Sequence, residues 1–326
     1  MDWLLREHLE AVSRMCSIAP REGFVPLRAG YVAYVHRVID ADGREYFFKT
    51  YDDARPISQM ILPTLVSLTA ASVWVGAQPT LKGRIVAPMP QFGPMRHGAY
   101  TTVVFPYIDG VTPRESPLTD RQLTNLVTSV AELHRLTVTD SALASVPRED
   151  FDALWTEAVL PALARIDSPG HQLHDVFAGR GRRLTTQFRR FRALAAKLAA
   201  QEHSMVVCHT DIHGYNVVIQ DDIPLLIDWE GMKIAPKEHD LLFWVGDERW
   251  ELIWHTYRQI NHDMHIDMEL LQFYRTRRSF EDLIQDIQRV EQEQLVEQEF
   301  VDLCAQIDTA CTQLTIPDDK IGRADF

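Results

Sequence analysis

The sequence predicts an α+β fold in which a β-rich N-terminal third precedes a mostly helical remainder. In the segment 24–50, β-branched and aromatic residues surround the hairpin signal Asp42-Gly43. In the segment 119–137, apolar residues recur at helical spacing. A short apolar β segment at 206–228 interrupts the helical part. This order of elements is typical of a bilobal chain, although other α+β folds share it.

Length and charge restrict the class of function. The chain has 326 residues, of which 46% are hydrophobic and 24% are charged, as is ordinary for a globular protein. The formal net charge of −13 argues against coating a nucleic acid, because a phosphate backbone requires a basic face. An acidic protein suits a cationic small-molecule substrate, although the same charge also serves solubility. We therefore expect a small-molecule partner and no nucleic acid, in a monomer or a homodimer.

The cysteines and the N-terminus predict a cytoplasmic protein. The four cysteines form no C-x-x-C pair, which disfavours a zinc knuckle or a redox motif and fits a reducing compartment. Charges between Asp2 and Arg14 leave the N-terminal segment without the apolar core of a signal peptide. No apolar run approaches the roughly 18 residues of a membrane span, so no membrane partner is expected.

The first lobe, predicted at 1–107, begins with an amphipathic helix and continues as a sheet. Leu5, Leu9 and Val12 lie at helical spacing, and Gly43 accepts the positive φ of a hairpin turn. The predicted elements are a helix at 2–17, strands at 31–39 and 45–50, a helix at 57–72, and strands at 84–87 and 101–105.

The second lobe, predicted at 108–326, follows a hinge at 106–113. Its first helix, within 119–137, can begin at Thr119 or Asp120, whose side chain would accept a free backbone N–H. The further helical stretches are 149–202 and 238–312, on either side of the β segment.

The segment 206–243 contains the residues that carry chemistry. Asn216 follows Asp211 after five residues, and the apolar strand 224–227 leads into Asp228. A loop followed by a tight strand pair can bring these three side chains together. A carboxylate beside an attacking hydroxyl can accept its proton, while a second carboxylate and an amide oxygen suit Mg²⁺. Phosphoryl transfer from ATP·Mg to a hydroxyl requires these residue types.

The same segment resembles the aminoglycoside phosphotransferase family, which is similar to the protein kinases. The resemblance rests on the following stretches: CHTDIHGYNVVI at 208–219, IDWE at 227–230, APKEHDLLF at 235–243 and YRTRRSFEDL at 274–283. It covers most of the second lobe and the first lobe only loosely. It implies a bilobal protein-kinase-like fold, ATP and Mg²⁺ as cofactors, and O-phosphorylation of an aminocyclitol or aminoglycoside antibiotic. A resistance phenotype would follow, and spectinomycin is the first acceptor to test.

The resemblance also implies a role for each matching position. Asp211 would be the general base or would orient the acceptor hydroxyl, and Asn216 with Asp228 would hold Mg²⁺. His209 and Asp240 would support the catalytic loop. Taken singly, an Asp after a strand is commonly a turn former or a helix cap, so only the combination favours the functional interpretation.

The nucleotide side of the site requires a cation near the ATP phosphates. Lys49, near a strand end, matches the position of the family's phosphate-binding lysine. Many kinases pair this lysine with a Glu on the next helix, yet the predicted helix at 57–72 has no Glu. Gln59 is the nearest polar candidate there, and Asp52 or Asp53 could pair with the lysine instead.

A phosphate-covering loop and an interlobe hinge would complete the nucleotide site. The loop candidate, 27–31, has Gly30 as its single glycine and lacks the G-x-G-x-x-G of protein kinases. The hinge candidate is 103–108, whose backbone would pair with adenine while Phe105 and Tyr107 pack beside it.

Acidic side chains are expected around a polyamino acceptor. Glu230, two residues past Asp228, is the first candidate, and Asp247 and Glu281 are the others. Arginines and acidic residues also recur at helical spacing in 275–282. Ion pairs on a solvated helix face are therefore the alternative for Glu281.

Two other functions stay open on the sequence. One fold can host many acceptors, so a metabolic kinase for a sugar, an amino alcohol or a cyclitol is the first alternative. A catalytically silent protein that binds nucleotide or drug is the second, and the intact set of Asp211, Asn216 and Asp228 argues against it. A protein kinase is disfavoured, because the sequence lacks D-F-G followed by A-P-E.

Overall fold

The structure joins a sheet-rich N-terminal region to a mostly helical C-terminal region. This computed structural model describes residues 3–27, 32–151, 158–166, 168, 170–262, 265–292 and 295–315. Within these ranges the larger sheet lies before residue 107, and most of the helices follow residue 119. The predicted α+β class is therefore confirmed.

The N-terminal sheet is antiparallel. Its strands are β1 (Pro20–Pro26), β2 (Tyr34–Asp40), β3 (Glu45–Asp52), β4 (Met95–His97) and β5 (Tyr100–Pro106), in the spatial order β1-β2-β3-β5-β4. The predicted hairpin joins β2 to β3, with Gly43 at a φ of 80°. The Asp40 carboxylate closes it by accepting the backbone N–H groups of Asp42 and Arg44 at 2.9 and 2.8 Å. Because β3 is paired on both sides, it holds Lys49 on a rigid backbone.

The prediction of a strand at 84–87 is wrong. Within the described chain, this segment makes an isolated parallel bridge between Ile85 and Leu226 in place of a ladder. The N–H of Val86 donates to Leu226 O at 2.9 Å, and the N–H of Leu226 donates to Arg84 O at 3.0 Å. Pairing stops after this exchange because Pro88 follows closely and has no N–H to donate.

Two helices accompany the sheet. Helix α1 (Trp3–Met15) is amphipathic as predicted, and its Leu5, Leu9 and Val12 share a buried cluster with Phe48 of β3. Helix α2 (Pro56–Gly76) continues through Pro63 and lacks any charged residue.

Contrary to the expectation that no apolar run approaches the length of a membrane span, helix α2 is long and apolar enough to cross a membrane, judged by length and composition alone. An 18-residue window within it has a mean hydropathy of 1.4, and 33% of that window is buried inside the protein. Its Leu65 packs with Tyr51 and Val103 of the sheet. The core helix of a soluble protein passes the same composition test.

The predicted helix at 119–137 forms α3 (Asp120–Leu133) and starts at Thr119. Thr119 Oγ1 accepts the N–H of Gln122 at 3.3 Å, and Gln122 Oε1 accepts the N–H of Thr119 at 2.9 Å. This reciprocal pair is a capping box, which satisfies two otherwise unpaired donors. The other described α-helices are α4 (Val159–Ile166), α5 (His174–Phe177), α6 (Gly181–Ala199), α7 (Glu238–Leu241), α8 (Trp250–Ile260), α9 (Met268–Gln292) and α10 (Glu297–Thr315).

The β segment inside the helical region forms two small strand pairs. They are β6 (Val206–Cys208) with β9 (Lys233–Ala235), and β7 (Val217–Gln220) with β8 (Ile223–Leu226). The segment after β5 approaches β7 closely: a Cβ on Gly110 would lie 2.5 Å from Ile219 O, so this position requires glycine. The N–H of Val111 then donates to Ile219 O at 3.1 Å.

Contacts divide the chain into two compact units. The first contains the described parts of 1–148, 205–243 and 248–264, and the second contains those of 149–204, 244–247 and 265–326. The N-terminal sheet and the motif segment 206–243 thus belong to the same unit. The predicted lobe boundary at residue 107 stays a prediction.

The second unit has an aromatic core within α6 and α9. Phe191 stacks on Phe273 with ring centroids 5.3 Å apart, and Phe188 meets Phe280 edge-on at 5.4 Å. Such pairs add about 0.5–1.5 kcal/mol each beyond the area they bury.

Asp286 on α9 makes the stability of the protein depend on pH. Burial raises the pKa of this carboxyl to about 6, with Asp282 raising it further and Arg289 opposing the change. Between roughly pH 4 and 6 the folded protein therefore binds more protons at this site than the unfolded chain, so stability falls as pH rises. Asp286→Asn should remove this penalty, which is roughly 1 kcal/mol at pH 7 after allowance for solvent screening.

Urea unfolding of the wild type and Asp286→Asn from pH 4.5 to pH 7.5 tests this expectation. The advantage of the variant should grow up to about pH 6 and then stay constant. Asp302→Asn on the exposed side of α10 is the matched control, for which we expect no such trend. An advantage that shrinks with rising pH would contradict the sign.

Candidate active site

The β7–β8 hairpin places Asn216 and Asp228 at the same open end of its strand pair. Asn216 directly precedes β7, and Asp228 follows β8 after one intervening residue. The N–H of Ile227 donates to Asn216 O at 3.0 Å, which extends the strand pairing to the open end of the hairpin. Asp228 has a φ of 66°, a left-handed conformation that turns the chain sharply at the end of this strand segment.

Asp211 and Asn216 form one polar cluster. Asn216 Nδ2 donates to Asp211 Oδ2 at 2.8 Å and to the Asp211 carbonyl at 3.0 Å. Since the amide nitrogen faces Asp211, the amide oxygen of Asn216 points away from it. His213 Nε2 lies 3.3 Å from Asp211 Oδ2, which gives this carboxylate oxygen a second close neighbour.

Asp240 anchors the backbone before Asp211. Its Oδ2 accepts the N–H of His209 at 3.0 Å, and its Oδ1 accepts the N–H of Thr210 at 2.6 Å. Thr210 has a φ of 74°, which is costly for a β-branched residue and is maintained by these bonds. The fully buried Asp240 also meets His134 Nε2 at 2.9 Å, while His134 Nδ1 lies 2.8 Å from the Tyr257 hydroxyl.

His209 ties the loop to the end of the β7–β8 hairpin. Its Nε2 donates to Ile227 O at 2.8 Å, so the neutral ring accepts at Nδ1, where the N–H of Asp211 lies 3.3 Å away. The ring also meets Trp229 edge-on, with centroids 4.6 Å apart. His209 therefore lies where a loop-supporting residue would lie.

Three buried side chains near this anchor have the spacing of metal ligands. Ligand atoms of His134, Cys208 and Asp240 lie within 4.8 Å of one another. Both nitrogens of the histidine and both oxygens of the aspartate have protein partners, and the cysteine Sγ lies 3.5 and 3.4 Å from the carbonyls of Ala235 and Pro236. The cluster is therefore satisfied by the protein itself.

Lys49 reaches the same site from β3. Its Nζ lies 2.9 Å from Asp228 Oδ1 and 2.5 Å from Glu230 Oε1, and the side chain is 9% exposed. Burial alone would lower the pKa of Lys49, but the two carboxylates outweigh it and hold the pKa well above its usual value. The ammonium is thus charged across the physiological range.

The sequence-based partners proposed for Lys49 are wrong. Asp53 pairs with Arg96, and the Asp52 side chain accepts the N–H of Ala54 at 2.9 Å. Gln59 donates to the carbonyl of Asp53 at 2.9 Å. The partners come instead from the turn after β8, which is distant in sequence.

The other nucleotide-side residues stay predictions. Gly30 lies outside the described residues. Phe105 is on β5 opposite Phe47, with ring centroids 6.3 Å apart, and is thus a packing residue. The N–H of Tyr107 donates to Glu45 O at 3.2 Å, and Arg37 lies over its ring, so this N–H serves the sheet.

Two of the three acidic candidates for acceptor binding belong to the second unit. The N–H of Asp247 donates to Trp244 O at 3.0 Å, closing a turn. Glu281 accepts from Arg277 Nε at 2.9 Å one helical turn away, so the intrahelical ion pair of the alternative interpretation is present, but the arginine is largely buried rather than on a solvated face. Arg277 also pairs with the buried Glu149 at 3.0 Å. The third candidate, Glu230, lies against Lys49.

The donor set at the hairpin end fits a hard divalent cation. Asn216 offers an amide oxygen and Asp228 a carboxylate, and oxygen ligands of this kind are those that Mg²⁺ prefers. The roles of these residues stay predictions, but the structure does bring Asp211, Asn216, Asp228 and Lys49 to one place.

Known structures of small-molecule kinases share this architecture. Spectinomycin phosphotransferase APH(9)-Ia, in complex with ADP and spectinomycin, matches 94% of this chain and 98% of its own at a TM-score of 0.71 and 17% identity. Amicoumacin kinase hAmiN, in complex with AMP-PNP, Ca²⁺ and Ami, matches 96% of this chain and 96% of its own at a TM-score of 0.60 and 13% identity. The fold is thus that of the protein-kinase-like phosphotransferases.

Sequence comparison gives the family. A model described as the phosphotransferase enzyme family matches residues 23–280, and the chain belongs to this family. Protein StrN of Streptomyces griseus is 28% identical over 172 residues, which are 49% of this chain and 54% of StrN. The match thus spans about half the length of that relative. The predicted family resemblance and enzyme class are confirmed.

Proposed function

We propose that this protein is an ATP- and Mg²⁺-dependent O-phosphotransferase that phosphorylates a hydroxyl of an aminocyclitol or aminoglycoside antibiotic. The observation that carries the proposal is the cluster of Asp211, Asn216, Asp228 and Lys49, which combines a base, two hard oxygen ligands and a buried cation. Nucleotides bound to the structural relatives support the use of ATP.

The reaction assigns one task to each residue. Asp211 accepts the proton of the acceptor hydroxyl while the hydroxyl oxygen forms a bond to the γ-phosphorus of ATP. The bond between the γ-phosphorus and the β–γ bridging oxygen breaks, so that ADP leaves. Lys49 offsets the charge of the ATP phosphates. Asn216 and Asp228 would hold Mg²⁺, which supplies further charge neutralisation when bound.

The acceptor class is supported by charge and by the relatives. The net charge of −13 favours polycationic substrates, and APH(9)-Ia was solved with spectinomycin. The same proposal includes action in the cytoplasm, with helix α2 as a packing helix rather than a membrane anchor. Resistance of the host to the antibiotic would be the consequence.

Coupled measurement of ADP release over an acceptor panel tests the function. The panel contains spectinomycin, further aminoglycosides, a macrolide, simple sugars, amino alcohols and cyclitols, each with and without MgCl₂. We expect acceptor-dependent release with an aminocyclitol or aminoglycoside, abolished by EDTA. Turnover confined to a sugar or an amino alcohol would show that the acceptor is a metabolite and not an antibiotic. Tight ATP binding without any turnover would indicate a catalytically silent binding protein.

A further inference from the structure

We infer that Glu230, rather than a residue of helix α2, is the carboxylate that positions Lys49 toward the nucleotide. This inference rests on the proposed function, because it gives the residue a task within the same site. It also replaces the expectation from sequence that Glu230 recognises the acceptor.

Helix α2 cannot supply the usual partner. All of its residues from Pro56 to Gly76 are described, and none of them is acidic. The helix packs against the 3-10 turn Trp229–Gly231, which carries Glu230. The carboxylate thus comes from the turn that α2 covers, and not from α2 itself.

Glu230 lies closer to the lysine than Asp228 does and is less exposed to solvent. The Lys49 ammonium lies 2.5 Å from Glu230 Oε1 and 2.9 Å from Asp228 Oδ1, and the Glu230 side chain is 15% exposed against 33% for Asp228. A buried ammonium requires a close counter-charge, since an uncompensated buried charge is strongly destabilising. Charge attraction also strengthens as water is excluded from a pair.

With the metal bound, Asp228 and Glu230 would have different roles. Asp228 would hold the cation, and its carboxylate would then be less available to the Lys49 ammonium. Glu230 would then remain as the group that holds Lys49 in place beside the phosphates. Its own charge is neutralised by Lys49, which makes it a poor attractor for a cationic acceptor.

The turn that bears Glu230 is fastened to the catalytic loop. The Thr210 hydroxyl donates to Gly231 O at 2.8 Å, and a Cβ on Gly231 would lie 2.4 Å from Thr210 Oγ1 and would displace this hydroxyl. Trp229 is buried against His209 on the other side of Glu230. Glu230 therefore links the position of Lys49 to the loop that carries Asp211.

A double-mutant cycle on ATP affinity tests the inference. ATP binding is titrated by calorimetry for the wild type, Glu230→Gln, Lys49→Met and the double variant, over a range of MgCl₂ concentrations. Glu230→Gln should weaken ATP binding, or lower kcat/KM for ATP, by about 10- to 100-fold, as expected for a group that supports a binding residue. The double variant should be no worse than Lys49→Met alone, because Glu230 acts through the lysine.

Two further variants and two further kinetic constants separate this role from its rivals. Glu230→Asp should retain part of the wild-type affinity, and Glu7→Gln, an exposed carboxylate on α1, should leave it unchanged. The KM of the acceptor and the MgCl₂ concentration for half-maximal activity should change less than about twofold in Glu230→Gln, because the residue would touch neither ligand.

Several outcomes would overturn the inference. Losses that add in the double variant would show that Glu230 acts independently of Lys49. If Glu230→Gln raised only the acceptor KM, Glu230 would be a residue that recognises the acceptor. If it changed only the Mg²⁺ requirement, Glu230 would be a metal ligand. ATP binding needs no acceptor, so a wild type that binds ATP without turnover would refute the proposed function while the cycle still decides this inference. A wild type that binds no ATP would refute both.

Discussion

Replacing Asp211 by Asn should lower kcat by about 10²- to 10⁴-fold, the range for loss of a positioned general base. The amide can still accept the hydrogen bond from Asn216, so the loop geometry should persist, but it cannot take the proton of the acceptor hydroxyl. Binding of ATP and acceptor should change far less than kcat. The measurement is steady-state ADP release with the best acceptor of the panel, together with ATP affinity by calorimetry.

The control for this substitution is Asp221→Asn in the β7–β8 turn. Asp221 is exposed and has a φ of 49°, which Asn tolerates well, so this variant should keep wild-type kcat. Undiminished turnover in Asp211→Asn would remove the residue from the mechanism. An equal loss in both variants would point to a general effect of the lost charge.

Asp240→Asn should destabilise the protein by about 3–5 kcal/mol, the cost of removing one partner from a buried charged network. The carboxylate accepts the N–H groups of His209 and Thr210 and meets His134, all inside the core. An amide in its place has one acceptor fewer and presents its own NH₂ to one of these groups. The left-handed Thr210 would then lose its support, so kcat should fall as well.

Thermal and urea unfolding measure the first effect, and kcat well below the melting temperature measures the second. Asp40→Asn is the matched control, because Asp40 is also buried and accepts two backbone N–H groups, but in the β2–β3 hairpin. It should lose stability without a matching loss of kcat in the folded fraction. A stable Asp240→Asn with normal kcat would refute the anchoring role.

The order of elements and the motif positions were readable in the sequence for physical reasons. Local signals such as the Thr119 capping box, the Asp42-Gly43 turn and the spacing of apolar residues in α1 depend on near neighbours alone. The spacing of Asp211, Asn216 and Asp228 likewise reflects one continuous loop and hairpin. Patterns of this short range therefore suffice to predict these parts of the fold and site.

Long-range pairing could not be predicted, because it depends on which segments meet in space. The strand expected at 84–87 lasts for one bridge, since a proline follows it closely. The contact of His134, directly after α3, with Asp240 of α7 spans 106 residues, and no local pattern indicates it.

The fold class and the family follow from the order of the amino acids, which also indicates Asp211, Asn216 and Asp228 as the candidate base and metal ligands. The family resemblance also indicates His209 and Asp240 as supports of the catalytic loop, but the contacts by which these and other groups hold the site in place follow only from the folded chain. Folding puts Glu230 on Lys49 across the chain and Asp240 beneath the left-handed Thr210. A buried charge is satisfied by whichever opposite group the fold brings within about 3 Å, and sequence distance does not limit that choice.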